Sequence, residues 1–205
     1  MARSKTSSSS RSTASAGRSG TIRLISGQWR GRKLPVHDVE GLRPTTDRVK
    51  ETLFNWLATD VRHSRCLDVF AGSGSLGFEA LSRYASYVMM IEQEPKAARQ
   101  LQQNLQTLQC TQAQVVCRDA LQVLQQPCTE PFELVFLDPP FRKELLSQVI
   151  PLLEQQGWLA DSALIYLERE NEGTPPVIPA NWQLLKDKQA GQVCYQLYLR
   201  ERPSP

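Results

Sequence analysis

From Cys66 onward, short apolar runs alternate with segments whose apolar positions recur at helical spacing. CLDVF, YVMMIE, AQVVCRD, ELVFLD and ALIYLERE read as strands. Between them LGFEALSRY, a Gln-rich segment to about Leu108, a short segment to about Gln126 and a segment around Leu145–Glu154 read as helices. Apolar strands alternating with helices predict a parallel sheet covered on both faces. The end of the chain differs. WQLLKDKQAGQVCYQLYLR carries two strand-like runs joined across Gln189–Gly191, so the sheet is expected to finish in an antiparallel hairpin.

The first third of the chain follows another pattern. Residues 1–20 are rich in Ser, Gly and Arg and hold no aliphatic residue larger than alanine after Met1, which predicts a disordered basic tail. TIRLISGQWRGRKLPV, residues 21–36, makes two apolar-basic alternations around Gly27–Gly31 and reads as a β-hairpin with Trp29 and Arg30 near its tip. LRPTTDRVKETLFNWLA then offers Pro44 and two capping threonines before Val49, Leu53, Phe54 and Leu57 at helical spacing. The expected organisation is a tail over 1–20, a hairpin and helix extension over 21–60, and a main domain over 61–202.

Composition narrows the class. The chain has 205 residues, 40% hydrophobic and 22% charged, enough for one substantial core. No apolar run approaches the roughly 20 residues of a membrane span, and the N-terminus lacks a signal-peptide core, so a soluble cytoplasmic protein without a membrane partner is expected. Cys66, Cys110, Cys117, Cys128 and Cys194 form an odd set without a CxxC pair, which suits reduced thiols, several of them buried, better than a disulfide framework or a zinc site. His37 and His63 stand alone, with no metal-ligand spacing around them.

Charge is unevenly spread. Residues 1–50 hold eleven Lys/Arg against three Asp/Glu, a balance of +8, and the remaining residues carry a balance of −5. A basic end of this kind suits phosphate contacts; a solvated tail with no partner would look the same.

The turn after CLDVF contains Gly72, Gly74 and Gly77, a literal GxGxxG between a strand and a helix. A glycine turn of this kind serves several ligands, because it only lets backbone approach closely. Asp68 separates them. Lying in the C-terminal half of the strand, it would repel the pyrophosphate of a nicotinamide cofactor but attract the ammonium and sulfonium of S-adenosylmethionine. Glu92 closes the next strand, where it could accept both ribose hydroxyls, and Asp119 closes the third, within reach of the adenine amine.

Asp138 ends the fourth strand and is followed by Pro139, Pro140 and Phe141. Two prolines stiffen the turn and leave carbonyl oxygens outside any ladder, so the Asp138 carboxylate and the Pro139 carbonyl can converge on one amino group. Phe141 is placed to stack on a flat ring. Two acceptors beside a ring suit methylation of an exocyclic amine, a reaction that needs positioning more than a covalent nucleophile.

In this order FAGSG with its upstream aspartate, Glu92, Asp119 and DPPF resemble the class I adenosylmethionine-dependent amino-methyltransferases. With SGQWRGRKLPV and LRPTTDRVKETLFNWL added, residues Ile22 to Arg200 resemble the RsmD family, bacterial 16S rRNA (guanine-N2)-methyltransferases. The resemblance implies a Rossmann-like, mostly parallel seven-stranded sheet with an antiparallel C-terminal hairpin. It assigns catalysis to Asp138, Pro139, Pro140 and Phe141, and cofactor binding to Asp68, Phe70, Ala71, Gly72, Ser73, Gly74, Glu92, Asp119 and Ala120. The expected partner is ribosomal RNA in the small ribosomal subunit, met by a monomer. Trp29, Arg30, Arg32, Lys33, Arg43 and Arg48 are the candidates for holding RNA, although Trp29 could be hairpin packing and Arg43 and Arg48 ordinary surface charges. An adenine-N6 methyltransferase or a non-catalytic RNA-binding assembly factor are the other readings.

Overall fold

The computed structural model describes residues 20–37, 47–140, 144–172 and 174–202. The strand and helix alternation forms as expected. β3 (Arg65–Asp68), β4 (Tyr87–Glu92), β5 (Ala113–Cys117), β6 (Phe132–Leu137) and β7 (Leu159–Glu170) run parallel, joined through α2 (Ser75–Ser82), α3 (Pro95–Thr107), α4 (Ala120–Leu124) and α5 (Leu146–Gln155). β8 (Trp182–Ala190) and β9 (Val193–Arg200) close the sheet antiparallel, in the order β5-β4-β3-β6-β7-β9-β8. This is the seven-stranded class I methyltransferase arrangement.

Alternation along the central strands divides the interior in two. Cys66, Leu134, Phe136 and Tyr166 face a core shared with α2 and α3, whereas Leu67, Val135, Leu137, Ile165 and Leu167 face one shared with α4 and α5. Each residue step therefore switches the helix layer that a side chain meets.

Several strand boundaries shift by a residue or two, and two further differences have a clear cause. β7 begins at Leu159 rather than Ala163, because Leu159 already pairs with Phe132 before a register shift between Phe132 and Leu134. Ala160, Asp161 and Ser162 broke the apolar pattern there and hid the strand's start. The terminal hairpin turns over Gly191 and Gln192, one residue later than anticipated, with Gly191 at φ 62°.

The N-terminal segment joins the first core. β1 (Thr21–Arg23) and β2 (Lys33–Pro35) pair antiparallel, placing Ile22 opposite Leu34 with both buried. α1 (Asp47–Trp56) adds Val49, Leu53 and Phe54 to the same cluster, and the Phe54 ring lies 5.9 Å from that of Phe136. Residues 1–19 of the expected tail, and Pro44 with its threonines, lie outside the described residues. Among the cysteines Cys66 and Cys194 are buried, Cys110 and Cys128 are half-buried and Cys117 is exposed, so burial holds for fewer of them than the pattern suggested.

Candidate functional site

The C-terminal ends of β3, β4, β5 and β6 share one edge of the sheet. Between β3 and β6 the strand order reverses, which leaves a crevice of the kind where open α/β sheets hold their ligands. Asp68 is the last residue of β3 and Glu92 the last of β4; Asp119 lies two residues past β5, and Asp138 follows β6 directly.

The loop from Phe70 to Gly74 rises from this edge and is held by its backbone. Ala71 N–H donates to Ile91 O at 2.9 Å, and Gly74 N–H returns to Ala71 O at 2.6 Å. Gly72 and Gly74 adopt φ of 51° and 76°, a region that L side chains rarely occupy. A Cβ on Gly74 would also stand 2.6 Å from a Leu101 methyl and from the Phe78 ring. Glu92 ties this loop to the next: one carboxylate oxygen accepts from Gly72 N–H at 2.8 Å and the other from Glu94 N–H at 2.7 Å. About two acceptor sites of the four on a carboxylate remain for a ligand. Ala71 is buried, while Phe70 and Ser73 are half-buried.

Asp68 does more than its position suggested. The N-cap of α2 is Gly74, which has no side chain to offer, and the Asp68 carboxylate reaches up from the strand to accept from Gly77 N–H at 3.1 Å. The bond exists because Gly77 lacks a Cβ, which would sit 2.8 Å from Met90 Sδ and 3.3 Å from Asp68 itself. At 2% exposure, burial is the main cause that pushes the Asp68 carboxyl up to about 7. Bonds from the Gly77 and Phe70 backbone oppose that rise, and the Glu92 charge adds to it.

Asp119 caps α4 with one oxygen, which accepts from Gln122 N–H at 3.1 Å, and Ala120 is the buried first residue of that helix. Asp119 therefore opens a helix rather than closing a strand. Asp138 and Pro139 are half-buried and Pro140 is exposed; Phe141 lies outside the described residues.

Sequence reasoning missed two residues beside Asp138. Tyr166, fully buried, donates its hydroxyl to Glu168 at 2.8 Å, and Glu168 is 7% exposed. Burial pushes the Tyr166 hydroxyl well above its usual range, and the charges of Glu168 and then Asp138 push the same way. ALIYLERE held the signal, an apolar run that ends in Glu168, Arg169 and Glu170.

The RNA candidates fall elsewhere. Arg30, Arg32, Lys33 and Arg48 are exposed, Trp29 packs half-buried against the first core, and Arg43 lies outside the described residues. The hairpin docks on the far end of α2, where Gln28 N–H meets Ser82 O at 2.8 Å and Trp29 N–H meets Ser82 Oγ at 3.1 Å. Eight residues of helix, about 12 Å, separate that contact from the glycine loop.

Residues 22–199 match the family described as conserved hypothetical protein 95. The chain belongs to this family. Within the conserved hypothetical protein 95 family it is 58% identical over 183 residues to the ribosomal RNA small subunit methyltransferase D of Escherichia coli (strain K12), covering 89% of this chain and 92% of that one. It is 56% identical over 182 residues to the Haemophilus influenzae protein of the same name, covering 87% and 94%. A solved Escherichia coli structure, provisionally named a methyltransferase, superposes with a TM-score of 0.82 at 57% identity over 89% of this chain and 99% of that one. The RsmD resemblance carried by the sequence motifs agrees with these findings.

The crevice fits adenosylmethionine on its chemistry. Ribose hydroxyls, an adenine amine and an ammonium are all donors or cations, and the edge offers the carboxylates Glu92, Asp119 and Asp68. A pyrophosphate would meet the same charges and be repelled.

Proposed function

We propose that this chain transfers the methyl group of S-adenosylmethionine to the exocyclic N2 of a guanine in 16S ribosomal RNA. It acts as a monomer in the cytoplasm, on an assembled or assembling 30S particle. The coarser statement follows from the family: the chain is an adenosylmethionine-dependent rRNA methyltransferase. The choice of an amino group rests on one observation, the placement of Asp138-Pro139-Pro140 directly past β6 on the edge shared with Asp68, Glu92 and Asp119.

Adenosylmethionine supplies a methyl group on a cationic sulfur, so the protein need provide no covalent nucleophile. Glu92 would take the ribose hydroxyls, Asp68 would serve the cationic amino-acid end, and Asp119 with Ala120 would border the adenine. The Gly72 and Gly74 backbone allows close approach. Asp138 and the Pro139 carbonyl would accept hydrogen bonds from the two N–H groups of the guanine amine, which would localise its lone pair on nitrogen and ready it for alkylation. The nitrogen sheds one proton as it is alkylated, and Asp138 is the acceptor bonded to it. Phe141 is the ring expected to stack on the base once it leaves its own stack.

Mass analysis of ribosomal RNA nucleosides from cells with and without the gene tests the assignment. The expected result is loss of one N2-methylguanine from 16S RNA. Loss of an N6-methyladenine, or methyl labelling of DNA but not of ribosomal particles, would move the activity to adenine. Calorimetry with no adenosylmethionine or adenosylhomocysteine binding would leave only an RNA-binding assembly role.

A further inference from the structure

A second carboxylate lies one strand over from the proposed amine clamp. β6 and β7 pair in parallel with Phe136 opposite Tyr166 and Leu137 opposite Leu167. The next residues along are Asp138, just past the end of β6, and Glu168, still within β7, on neighbouring strands roughly 4.8 Å apart. Phe136 and Tyr166 both face the first core, and two residues further the same face carries Asp138 and Glu168. Tyr166 reports both neighbours, since it hydrogen-bonds Glu168 and feels the Asp138 charge. Its hydroxyl, held protonated, fixes the direction of the Glu168 carboxylate. β9 closes the far side with Tyr195 opposite Glu168, stacked on Trp56 at 5.5 Å.

Two acceptors side by side suit one base edge better than another. Guanine presents two donors in succession, N1–H and the N2 amine. Adenine presents its amine beside N1, a lone pair that a second carboxylate repels. We propose that Glu168 is the specificity residue of this site, accepting guanine N1–H while Asp138 holds the N2 amine. The inference rests on the guanine-N2 reading and supplies the physical reason for choosing guanine over adenine, which an amine clamp alone cannot provide.

The test compares 16S RNA substrates carrying guanine or 2-aminopurine at the methylated position, since 2-aminopurine keeps the amine and lacks N1–H. Wild-type protein is expected to favour guanine by about 10- to 100-fold in kcat/KM, the range for losing a hydrogen bond to a charged group. Glu168→Gln, whose amide can donate to the bare N1 of 2-aminopurine, should narrow that ratio to about threefold or less while adenosylhomocysteine affinity stays near wild type. Tyr166→Phe, which removes only the hydroxyl that orients Glu168, should narrow it in the same direction by a smaller factor. A wild-type ratio near one, or equal losses on both RNAs in the variants, would overturn the Glu168 assignment and leave guanine-N2 transfer standing. The wild-type ratio needs no variant, so it can overturn the assignment even if Glu168→Gln fails to fold. Absence of transfer to the guanine RNA by wild-type protein would instead overturn the reading on which Glu168 depends.

Discussion

A carboxyl group sealed at 2% exposure and pushed up to about 7 changes charge near neutral pH. Its ordinary value is 3.8, so between about pH 4 and 7 the folded protein holds a proton that the unfolded chain has released. Folding stability contributed by Asp68 is therefore present at the acid end of that window and is lost as pH rises through it. Binding should run the other way. A cationic ligand end favours ionised Asp68, so adenosylhomocysteine affinity should fall by up to tenfold per pH unit below about 7. Calorimetry at about pH 6 in buffers of different ionisation enthalpy should show close to one proton released on binding, and Asp68→Asn should abolish that release. An affinity flat from about pH 5.5 to 8 would remove Asp68 from contact with the cation. Asp138→Ala makes a contrasting pair: transfer should drop by about a hundredfold or more with cofactor affinity near normal, and a large affinity loss would mislocate the pocket. At this scale the strand-end acids were legible because each interrupts an apolar run. The Gly77 bond to Asp68 was not, because a contact that folds back through a turn leaves no periodic trace.

α2 is an element with two jobs. Its N-terminus lies beneath the glycine loop, and its C-terminal half anchors the hairpin through Glu79, which is fully buried and accepts from Ile25 N–H at 2.8 Å, Ser26 N–H at 3.1 Å and Arg83 Nε at 2.7 Å. Lys50, equally buried, donates to Arg23 O at 2.7 Å, and burial holds its ammonium below the usual range against the pull of Glu79 and Asp47. Glu79→Ala would strand the Arg83 guanidinium and two backbone donors, for an expected loss of about 3 kcal/mol in denaturant unfolding. Gly27→Ala attacks the same joint from the hairpin side. Gly27 sits at φ 82° and a Cβ there would fall 1.8 Å from Ser82 O, so roughly 2–4 kcal/mol should be lost unless the hairpin lifts away. Unchanged stability in both variants would mean that the hairpin is not anchored at this joint. The hairpin's existence was legible from its alternation and glycines. Its docking was not, because Glu79 lies within a helical run whose pattern marks it only as one more polar position.

Over the whole molecule the division of charge becomes spatial. The sheet edge is acidic, whereas Arg30, Arg32 and Lys33 stand exposed on the hairpin at the other end of α2. Changing these three to alanine should weaken RNA binding and lower the slope of log affinity against log salt by about two to three, one phosphate contact per residue. An unchanged slope would move the RNA face elsewhere. Fold class was the most legible property, since period-2 and period-3.6 patterns survive without any knowledge of packing. The distance between charge and chemistry was the least legible, because the hairpin and residues 68–77 meet opposite ends of α2, a relation that leaves no mark in the pattern of either. On the proposed RNA face, that helix would set a minimum size for the substrate. The eight residues of α2 span about 12 Å, so an RNA held at both the hairpin and the crevice must be longer than a single nucleoside. Fragments of one or two nucleotides should be methylated poorly and with little response to salt, and both properties should appear together once the strand is long enough to pass around α2.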